Sequence, residues 1–312
     1  MLPGQPIHEI SSSARTYQTY QVGMMSDAKM SSLQIQPGLD AGTLAELRQY
    51  YKTSVGYREH LQLKGAAYFE RFVAVVCDCS SASDLILDLG CGTGESTGEI
   101  ARRGRKVIGT DISSLFMQSQ ARNSSSTFCR FVTSDASRLP FSDHSFDVVC
   151  AMEFIEHVWP VEGVLGEMHR VLKPDGRIVI VSPNLLSPLW PLRDFLQMLT
   201  RHRFRPPLYS SYQEALSFLR RSCHLSLKKM LSIKPEFISR RPDLGHADFG
   251  GDFDAVYFSN ARDISLFLRQ TGYRVRLAVD PSGSIRSLLR TWAARIMGSM
   301  WTSFTLLGTK PR

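Results

Sequence analysis

One segment constrains the fold of this chain more than any other: an apolar run that ends in a turn dense in glycine. The run is Leu85–Leu89, and glycines follow at Gly90, Gly92 and Gly94. Glycine has no Cβ, so a ligand can approach such a turn closely, near the free N–H groups of a following helix. The segment therefore predicts a strand, a turn and a helix that hold a nucleotide-like ligand. Its GxGxG spacing differs from GxGxxG, which disfavours a dehydrogenase.

Short apolar or β-branched runs alternate with helix-like stretches from Leu85 onward, a pattern typical of a parallel sheet with crossover helices. Before the last of these runs, Lys173–Gly176 predicts a turn in which Pro174 fixes φ and Gly176 supplies a positive φ. The predicted fold class is α/β, a Rossmann-like, mostly parallel sheet with helices on both faces. Its first five strands are predicted at Leu85–Leu89, Lys106–Thr110, Phe128–Thr133, Phe146–Ala151 and Arg177–Ser182.

The chain before this core has two predicted parts. Residues 1–40 are rich in Ser, Gln, Pro and Gly and have no hydrophobic period, which predicts a flexible arm. Residues 41–84 contain two helical patterns, Ala45–Tyr57 and Gln62–Val76, which predict a helical flap beside the sheet or over its ligand edge. The core itself is assigned to residues 85–184.

Residues 185–260 form a long insertion after the fifth strand, and connections of this length are normally functional. Its apolar and basic first part predicts a lid over an acceptor ligand. Its later part combines carboxylates and aromatic residues, a mixture that suits a sugar. The same aromatic residues could instead pack on the sheet, so an acceptor role of Asp252, Asp254 or Tyr257 is a hypothesis.

Residues 261–312 are predicted to complete the sheet, with a helix at Arg262–Thr271 and strands at Tyr273–Val279 and Trp301–Gly308. They hold nine Lys and Arg against two Asp and Glu, in a chain whose net charge is +8. Within them, Ser284–Ser303 has an apolar helical stripe with a basic flank, so both peripheral membrane contact and core packing stay open. The basic excess also suits an acidic substrate or a solvated surface. Nucleic-acid binding is not expected, because no aromatic and basic RNA motif is evident.

The location and metal content can also be predicted. The longest apolar runs fall short of the roughly 20 residues that cross a bilayer, and the start of the chain lacks the pattern of a secretory signal. A cytoplasmic location follows, with membrane periphery as an extension. The six cysteines are expected to be reduced thiols. Cys77 and Cys79 are too close to form half a zinc site and no second pair completes one, so no metal is predicted.

Two further acidic residues follow predicted strands. Asp111 comes directly after the second strand, 17 positions after Gly94, where a carboxylate would accept both hydroxyl protons of a ribose. An N-cap of the next helix is the alternative for Asp111. After the third strand, Asp135 could accept from an exocyclic amino group while Ala136 leaves room for a flat base.

Residues 84–184 resemble the class I S-adenosylmethionine-dependent methyltransferases. The motifs that carry the resemblance are LDLGCGTG, VIGTD, SDASRLPFSDHSFDVV, AMEFIEHV and VLKPDGRIVIVSPN, in that order. The branch that includes ubiquinone and menaquinone methyltransferases and many natural-product and sugar methyltransferases is the most similar. The resemblance implies a seven-stranded sheet with one antiparallel strand, and S-adenosyl-L-methionine as methyl donor.

The resemblance also implies roles for individual residues. Asp88, Gly90, Gly92 and Gly94 would hold the methionine end of the cofactor, Asp111 its ribose, Ile112 one face of its adenine and Asp135 with Ala136 the adenine edge, while Met152 and Glu153 would line the sulfonium side. Core packing is the alternative for Ile112 and Met152. Phe154, Ile155 and Val158 are expected in the core.

The activated methyl group makes a general base optional. Histidine titrates in a range that suits this task, so His157 is the candidate base, although a structural hydrogen bond to the backbone is the favoured alternative. The predicted function is methyl transfer to a small-molecule acceptor, first an oxygen of a glycan, a lipid-linked sugar or a secondary metabolite. C-methylation of a polyprenyl quinone is the second enzymatic hypothesis. A non-catalytic cofactor-binding protein or an RNA-binding protein is the third.

Overall fold

The computed structural model describes residues 35–36, 38–117, 128–200, 211–245, 247, 252–278 and 303–312. Side chains of residues 35–36, 194, 197–200 and 278 are not described. The glycine pair at 250–251 and nearly all of the amphipathic segment 284–303 therefore lie outside the described residues. Within the described part, no helix is long and apolar enough to cross a bilayer.

A sheet of seven strands forms the centre of the molecule, in the order β4-β3-β2-β5-β6-β9-β8. Strands β2 to β6 run parallel, and β9 is antiparallel to both of its neighbours. The predicted mostly parallel sheet with one antiparallel strand is thus confirmed. Its strands are β2 (Leu85–Leu89), β3 (Lys106–Asp111), β4 (Cys129–Thr133), β5 (Phe146–Met152), β6 (Leu172–Pro183), β8 (Arg274–Ala278) and β9 (Ser303–Thr309).

Helices cover both faces of the sheet, as predicted. On one face, α3 (Ala66–Asp78) and α4 (Glu95–Arg102) bury apolar residues against β2, β3 and β5. On the other face, α5 (Val161–Val171) and α8 (Ala261–Gln270) pack with β5, β6 and β9 around the larger core, which includes Ile155. Phe154 and Val158 pack against that core, so all three were placed correctly.

The entry into β6 differs from the prediction. The strand begins at Leu172 and already contains the predicted turn, and the positive φ belongs to Asp175, at 59°. Gly176 has another task, because a Cβ at this position would lie 2.8 Å from the Leu172 side chain and the Lys173 carbonyl oxygen. Glycine is required here by close packing rather than by its backbone angle.

The N-terminal flap contains three helices instead of two: α1 (Ala41–Thr53), α2 (Val55–Gln62) and α3. The break lies at Ser54, whose backbone N–H donates to the Tyr50 carbonyl while its hydroxyl accepts from the Tyr57 N–H. This one residue ends the first helix and caps the second, which the apolar spacing did not reveal.

The insertion carries two helices, α6 (Leu189–Thr200) and α7 (Tyr212–Leu231), and a short strand β7 (Ser239–Arg240). Strand β7 pairs antiparallel with β1 (Ile35–Gln36), which belongs to the predicted flexible arm. The end of the arm is therefore part of a two-stranded sheet. The predicted domain boundaries stay predictions.

Helices α7 and α8 are joined by a buried ion pair. Lys229 Nζ lies 2.9 Å from Asp263 Oδ2, and both side chains are fully buried. Lys229 also donates to the Glu236 carbonyl, and Asp263 accepts from Asn260 and from the Glu236 N–H. Because both charges are withdrawn from water, removing one leaves the other uncompensated.

We expect Lys229→Met to lower the free energy of unfolding by about 3–5 kcal/mol, because it leaves a buried carboxylate without its cation. Lys228→Ala is the matched control, since the neighbouring lysine pairs with Glu236 at an exposed site and should change stability by less than about 1 kcal/mol. Urea unfolding measures both. Equal losses in the two variants would contradict the importance of the buried pair.

Candidate active site

The glycine turn after β2 presents backbone to a cavity at the carboxyl edge of the sheet. Gly90 and Gly92 have φ values of 72° and 54° and line the cavity. A Cβ on Gly90 would overlap the ring of Phe154. Gly94 is not among the lining residues; it is the left-handed N-cap of α4, with a φ of 84°. Its task is to turn the chain into the helix.

Asp88 stabilises this turn by joining the strand before it to the helix after it. Its carboxylate is buried and accepts hydrogen bonds of 2.7 Å from the hydroxyls of Ser96 and Thr97, both in α4. Burial raises the pKa of Asp88, opposed by these two hydroxyl donors. Asp88 lines the cavity, but these contacts make it a link between β2 and α4, a different geometry from the direct cofactor contact predicted for it.

Asp111 ends β3 opposite the glycine turn. Its two carboxylate oxygens accept from the N–H groups of Gly92, at 3.0 Å, and Ser113, at 2.9 Å. Burial raises the pKa of Asp111 to about 6 in spite of these donors. The predicted ribose site and the alternative local cap coincide here, because the same carboxylate makes a local bond and lines the cavity.

The predicted adenine pocket lies next to Asp111. Ile112, Asp135 and Ala136 all line the cavity, and Ala136 is buried. Asp135 is joined to the flap by Arg48, whose Nε lies 3.2 Å from Asp135 Oδ2, and it accepts from Ser137. An ion pair with the flap was not foreseen at this residue.

Glu153 connects the end of β5 to the flap in a similar way. Lys64 Nζ lies 2.8 Å from Glu153 Oε2, and Tyr68 also helps to lower the pKa of this carboxyl group. Burial alone would raise the pKa of Glu153, but Lys64 lowers it below its ordinary value. Glu153 has a positive φ of 48°. It lines the cavity together with Met152, which also packs against the smaller core.

His157 lines the cavity from a single 3₁₀ turn, Ile155–His157. Its Nδ1 lies 3.1 Å from Asp254 Oδ2, an ion-pair contact whose angle falls short of a hydrogen bond. Tyr51 of the flap donates to the same oxygen at 2.8 Å. Burial alone would lower the pKa of His157, but Asp254 and Glu156 raise it to about 9. A histidine that holds its proton at neutral pH is poorly suited to the predicted general-base role.

The cavity and the open solvent at its mouth together comprise about 1230 Å³ of space free of protein atoms. Its cover comes from the N-terminal flap, which contributes Leu44, Leu47, Arg48, Tyr51, Tyr57, Leu61, Lys64 and Phe69. No described residue of the insertion lines it. Tyr257 is fully buried in the larger core, which agrees with the packing alternative. Asp254 does not line the cavity either; it contacts Nδ1 of His157, which does.

The comparisons with known proteins agree with this geometry. Residues 87–180 match the family model described as "Methyltransferase domain". The matched segment runs from β2 to β6 and contains most of the cavity's sheet edge. Residues 87–180 are therefore similar to a methyltransferase domain, and the sheet has the Rossmann-like fold seen in class I S-adenosylmethionine-dependent methyltransferases.

Several curated relatives are demethylmenaquinone methyltransferases, in agreement with the branch indicated by the motifs. The protein from Beutenbergia cavernae is 35% identical over 44% of this chain and 57% of its own length. The protein from Tropheryma whipplei (strain Twist) is 40% identical over 32% of this chain and 42% of its own length. The chain thus spans about half the length of these relatives.

Two solved structures show the same fold. One is a methyltransferase of Haloferax volcanii in complex with the activator Trm112, with a TM-score of 0.50 and 15% identity over 86% of this chain and 98% of that chain. The other is magnesium protoporphyrin IX methyltransferase of Synechocystis PCC 6803 with bound SAH, with a TM-score of 0.50 and 15% identity over 86% of this chain and 99% of that chain. At this identity, the likeness concerns the fold alone.

Proposed function

We propose that this protein transfers a methyl group from S-adenosyl-L-methionine to a small-molecule acceptor. The observation that carries the proposal is the set of groups that line one cavity at the carboxyl ends of β2, β3 and β4: the backbone of Gly90 and Gly92, the half-buried carboxylate of Asp111, and Asp135 beside Ala136. In open α/β sheets, ligands bind at this edge. The matched methyltransferase domain supports the same proposal.

The chemistry of these groups suits the parts of the cofactor. The Asp111 carboxylate can accept from both ribose hydroxyls, and Ala136 with Ile112 can flank adenine while Asp135 accepts at its edge. Gly90 and Gly92 allow the methionine end to approach the backbone, with Asp88 holding the turn. Glu153 places a negative charge, and Met152 an apolar wall, beside the position of the positively charged sulfonium.

The contribution of the protein is mainly positioning. The cofactor supplies a methyl group that is already activated for transfer, so holding an acceptor in line can provide much of the rate. The flap helices α1 to α3 cover the site and shield it from water. Two ion pairs, Arg48–Asp135 and Lys64–Glu153, hold the flap in this position. These ion pairs connect the flap to the segments that directly follow β4 and β5.

The cavity favours an acceptor with an apolar ring. Its walls include Tyr51, Tyr57, Phe69, Phe154 and Trp159. The carboxylate and aromatic mixture that suggested a glycan or a lipid-linked sugar does not line the described cavity. We therefore place first an oxygen of an aromatic secondary metabolite, and second the ring carbon of a demethylated polyprenyl quinone, which the similarity to demethylmenaquinone methyltransferases favours.

Methyl transfer can be tested with S-adenosylmethionine that carries a deuterated methyl group, incubated with pools of phenolic metabolites, quinols and sugars. We expect a product heavier by one labelled methyl group, and its fragmentation distinguishes an oxygen from a ring carbon. Binding of the cofactor without transfer to any pool would favour the non-catalytic alternative. Transfer to sugars alone would overturn the choice of acceptor.

Cofactor affinity should depend on pH through Asp111. Its pKa of about 6 means that the carboxylate is ionised at pH 7.5 and becomes protonated as the pH falls through 6. Only the ionised form accepts from both ribose hydroxyls, so affinity should fall several-fold between pH 7.5 and pH 5.5. The neighbouring carboxylate of Asp88 also raises the pKa of Asp111. Calorimetric titration measures the effect, and Asp111→Asn should flatten it; an equally steep profile in that variant would assign it to another group.

A further inference from the structure

Three side chains that can bind metal ions meet at the wall of the cavity: Glu156, His157 and Asp252. One ligand atom from each lies within 4.8 Å of the others. Glu156 is fully buried, and the other two are half-buried. His157 lines the cavity, so the group can be reached from it.

The surroundings of His157 orient it as a metal ligand. Its Nδ1 lies 3.1 Å from Asp254 Oδ2, and its Nε2 lies 3.8 Å from Glu156 Oε1. Histidine ligands of metals nearly always place their second ring nitrogen against a carboxylate or a carbonyl in this way. A cation that binds here would displace the proton of Nε2, so that the lone pair of this nitrogen, which faces Glu156, can point at the ion.

Glu156 provides an independent observation. Its Oε2 accepts from the Ser182 hydroxyl, whereas its Oε1, the atom that faces His157, is buried and has no hydrogen-bond partner. Leaving a buried polar atom without a partner is unfavourable. A bound cation would satisfy this oxygen. The carboxylates of Glu156, Asp252 and Asp254 also surround the His157 imidazole. The Arg240 guanidinium interacts electrostatically with Asp252 and Asp254.

We propose that Glu156, His157 and Asp252 bind a divalent cation of the first transition row, with Asp254 holding His157 in place. Bonds of about 2.0–2.2 Å bring ligand atoms to about 3–4 Å from one another; the ligand atoms here lie within 4.8 Å of one another, so a bound ion would draw them closer together. One imidazole and two carboxylates suit Mn²⁺ or Zn²⁺. This replaces the sequence-based expectation of no metal, which rested on Cys77 and Cys79. The inference concerns binding alone and does not depend on methyl transfer.

The test uses the full chain, treated with a chelator and then titrated with Mn²⁺ and with Zn²⁺ in a calorimeter. We expect about one ion per chain for at least one of the two metals, and a higher melting temperature in its presence. Asp252→Asn and Glu156→Gln should each weaken binding at least tenfold. Circular dichroism checks that both variants fold, and Asp252→Asn, at a half-buried site, is the milder of the two.

Asp143→Asn is the matched control. Asp143 precedes β5, whereas Glu156 and His157 follow it, so Asp143 lies at the other end of this strand, where it pairs with Arg170. Its binding should stay within twofold of the wild type. A wild type that binds neither ion would overturn the proposal. So would a folded Asp252→Asn variant that binds like the wild type, or an Asp143→Asn variant that loses binding equally.

Discussion

Gly90→Ala should lower the free energy of unfolding by about 2–4 kcal/mol and abolish measurable cofactor binding. Gly90 has a φ of 72°, which an alanine adopts only with strain, and the new Cβ would overlap the Phe154 ring. The ring belongs to the larger core and lines the cavity, so it can move only by disturbing one or the other. Urea unfolding and calorimetric titration with S-adenosylmethionine measure the two effects.

Gly104→Ala separates the two causes. Gly104 has a similar φ of 76°, but a Cβ there would have no atom within 4 Å. It should therefore cost only about 1 kcal/mol, from backbone strain alone, and leave cofactor binding unchanged. If both variants lost the same stability, the contact between Gly90 and Phe154 would carry no weight.

Asp111→Ala should weaken the binding of S-adenosylmethionine by at least a hundredfold. A carboxylate that accepts from two ribose hydroxyls makes two charge-assisted hydrogen bonds, each worth about 1.5–3 kcal/mol. Asp111 also orders the turn by accepting from the Gly92 N–H. The loss should appear in calorimetric titration at pH 7.5, where the wild-type carboxylate is ionised.

Asp111→Asn keeps the size of the side chain and removes its charge, so it should retain more affinity than Asp111→Ala. Asp175→Asn is the control for a lost carboxylate elsewhere, because Asp175 is exposed and pairs with Arg312. It should bind like the wild type. Full affinity in Asp111→Ala would show that the ribose does not lie at this residue.

The sheet and the ligand edge were predictable because their signals are local. Leu85–Leu89 is a strand as predicted, and the carboxyl-terminal position of Asp111 on β3 follows from strand length alone. In a parallel sheet, residues that follow successive strands meet at one edge. This is why Asp111, Asp135 and Glu153 could be placed around one cavity without knowledge of the packing.

The sequence predicted a flap beside the sheet or over its ligand edge, but the contacts that hold the flap over the cavity could not be predicted, since they join residues far apart in the chain. Lys64 and Glu153 are 89 positions apart, and Tyr51 and Asp254 are 203 positions apart. The sequence contains no period that relates such pairs. The insertion was expected to form the lid from its composition, whereas the described lining comes from the flap.

The burial of several charged side chains could not be predicted from the sequence either. Asp254 lies in a loop and Lys229 in a helix with many charged residues, so each resembles an ordinary surface residue until the fold buries it. The motif AMEFIEHV contains Glu156 and His157, of which the sequence singled out His157, but the environment of both residues depends on Asp252 and Asp254 from the insertion. A motif predicts where its residues lie in the fold, but it does not predict which charged residues from other segments will contact them.

The central claim is that the cavity between the flap and the sheet edge binds S-adenosylmethionine. Calorimetric titration of the wild-type full chain with S-adenosylmethionine, S-adenosylhomocysteine and NAD⁺ tests it most directly. We expect saturable binding of the first two, with one molecule per chain, and no binding of NAD⁺, as the GxGxG spacing indicates. A wild type that binds neither adenosyl compound, or that prefers NAD⁺, would contradict the account.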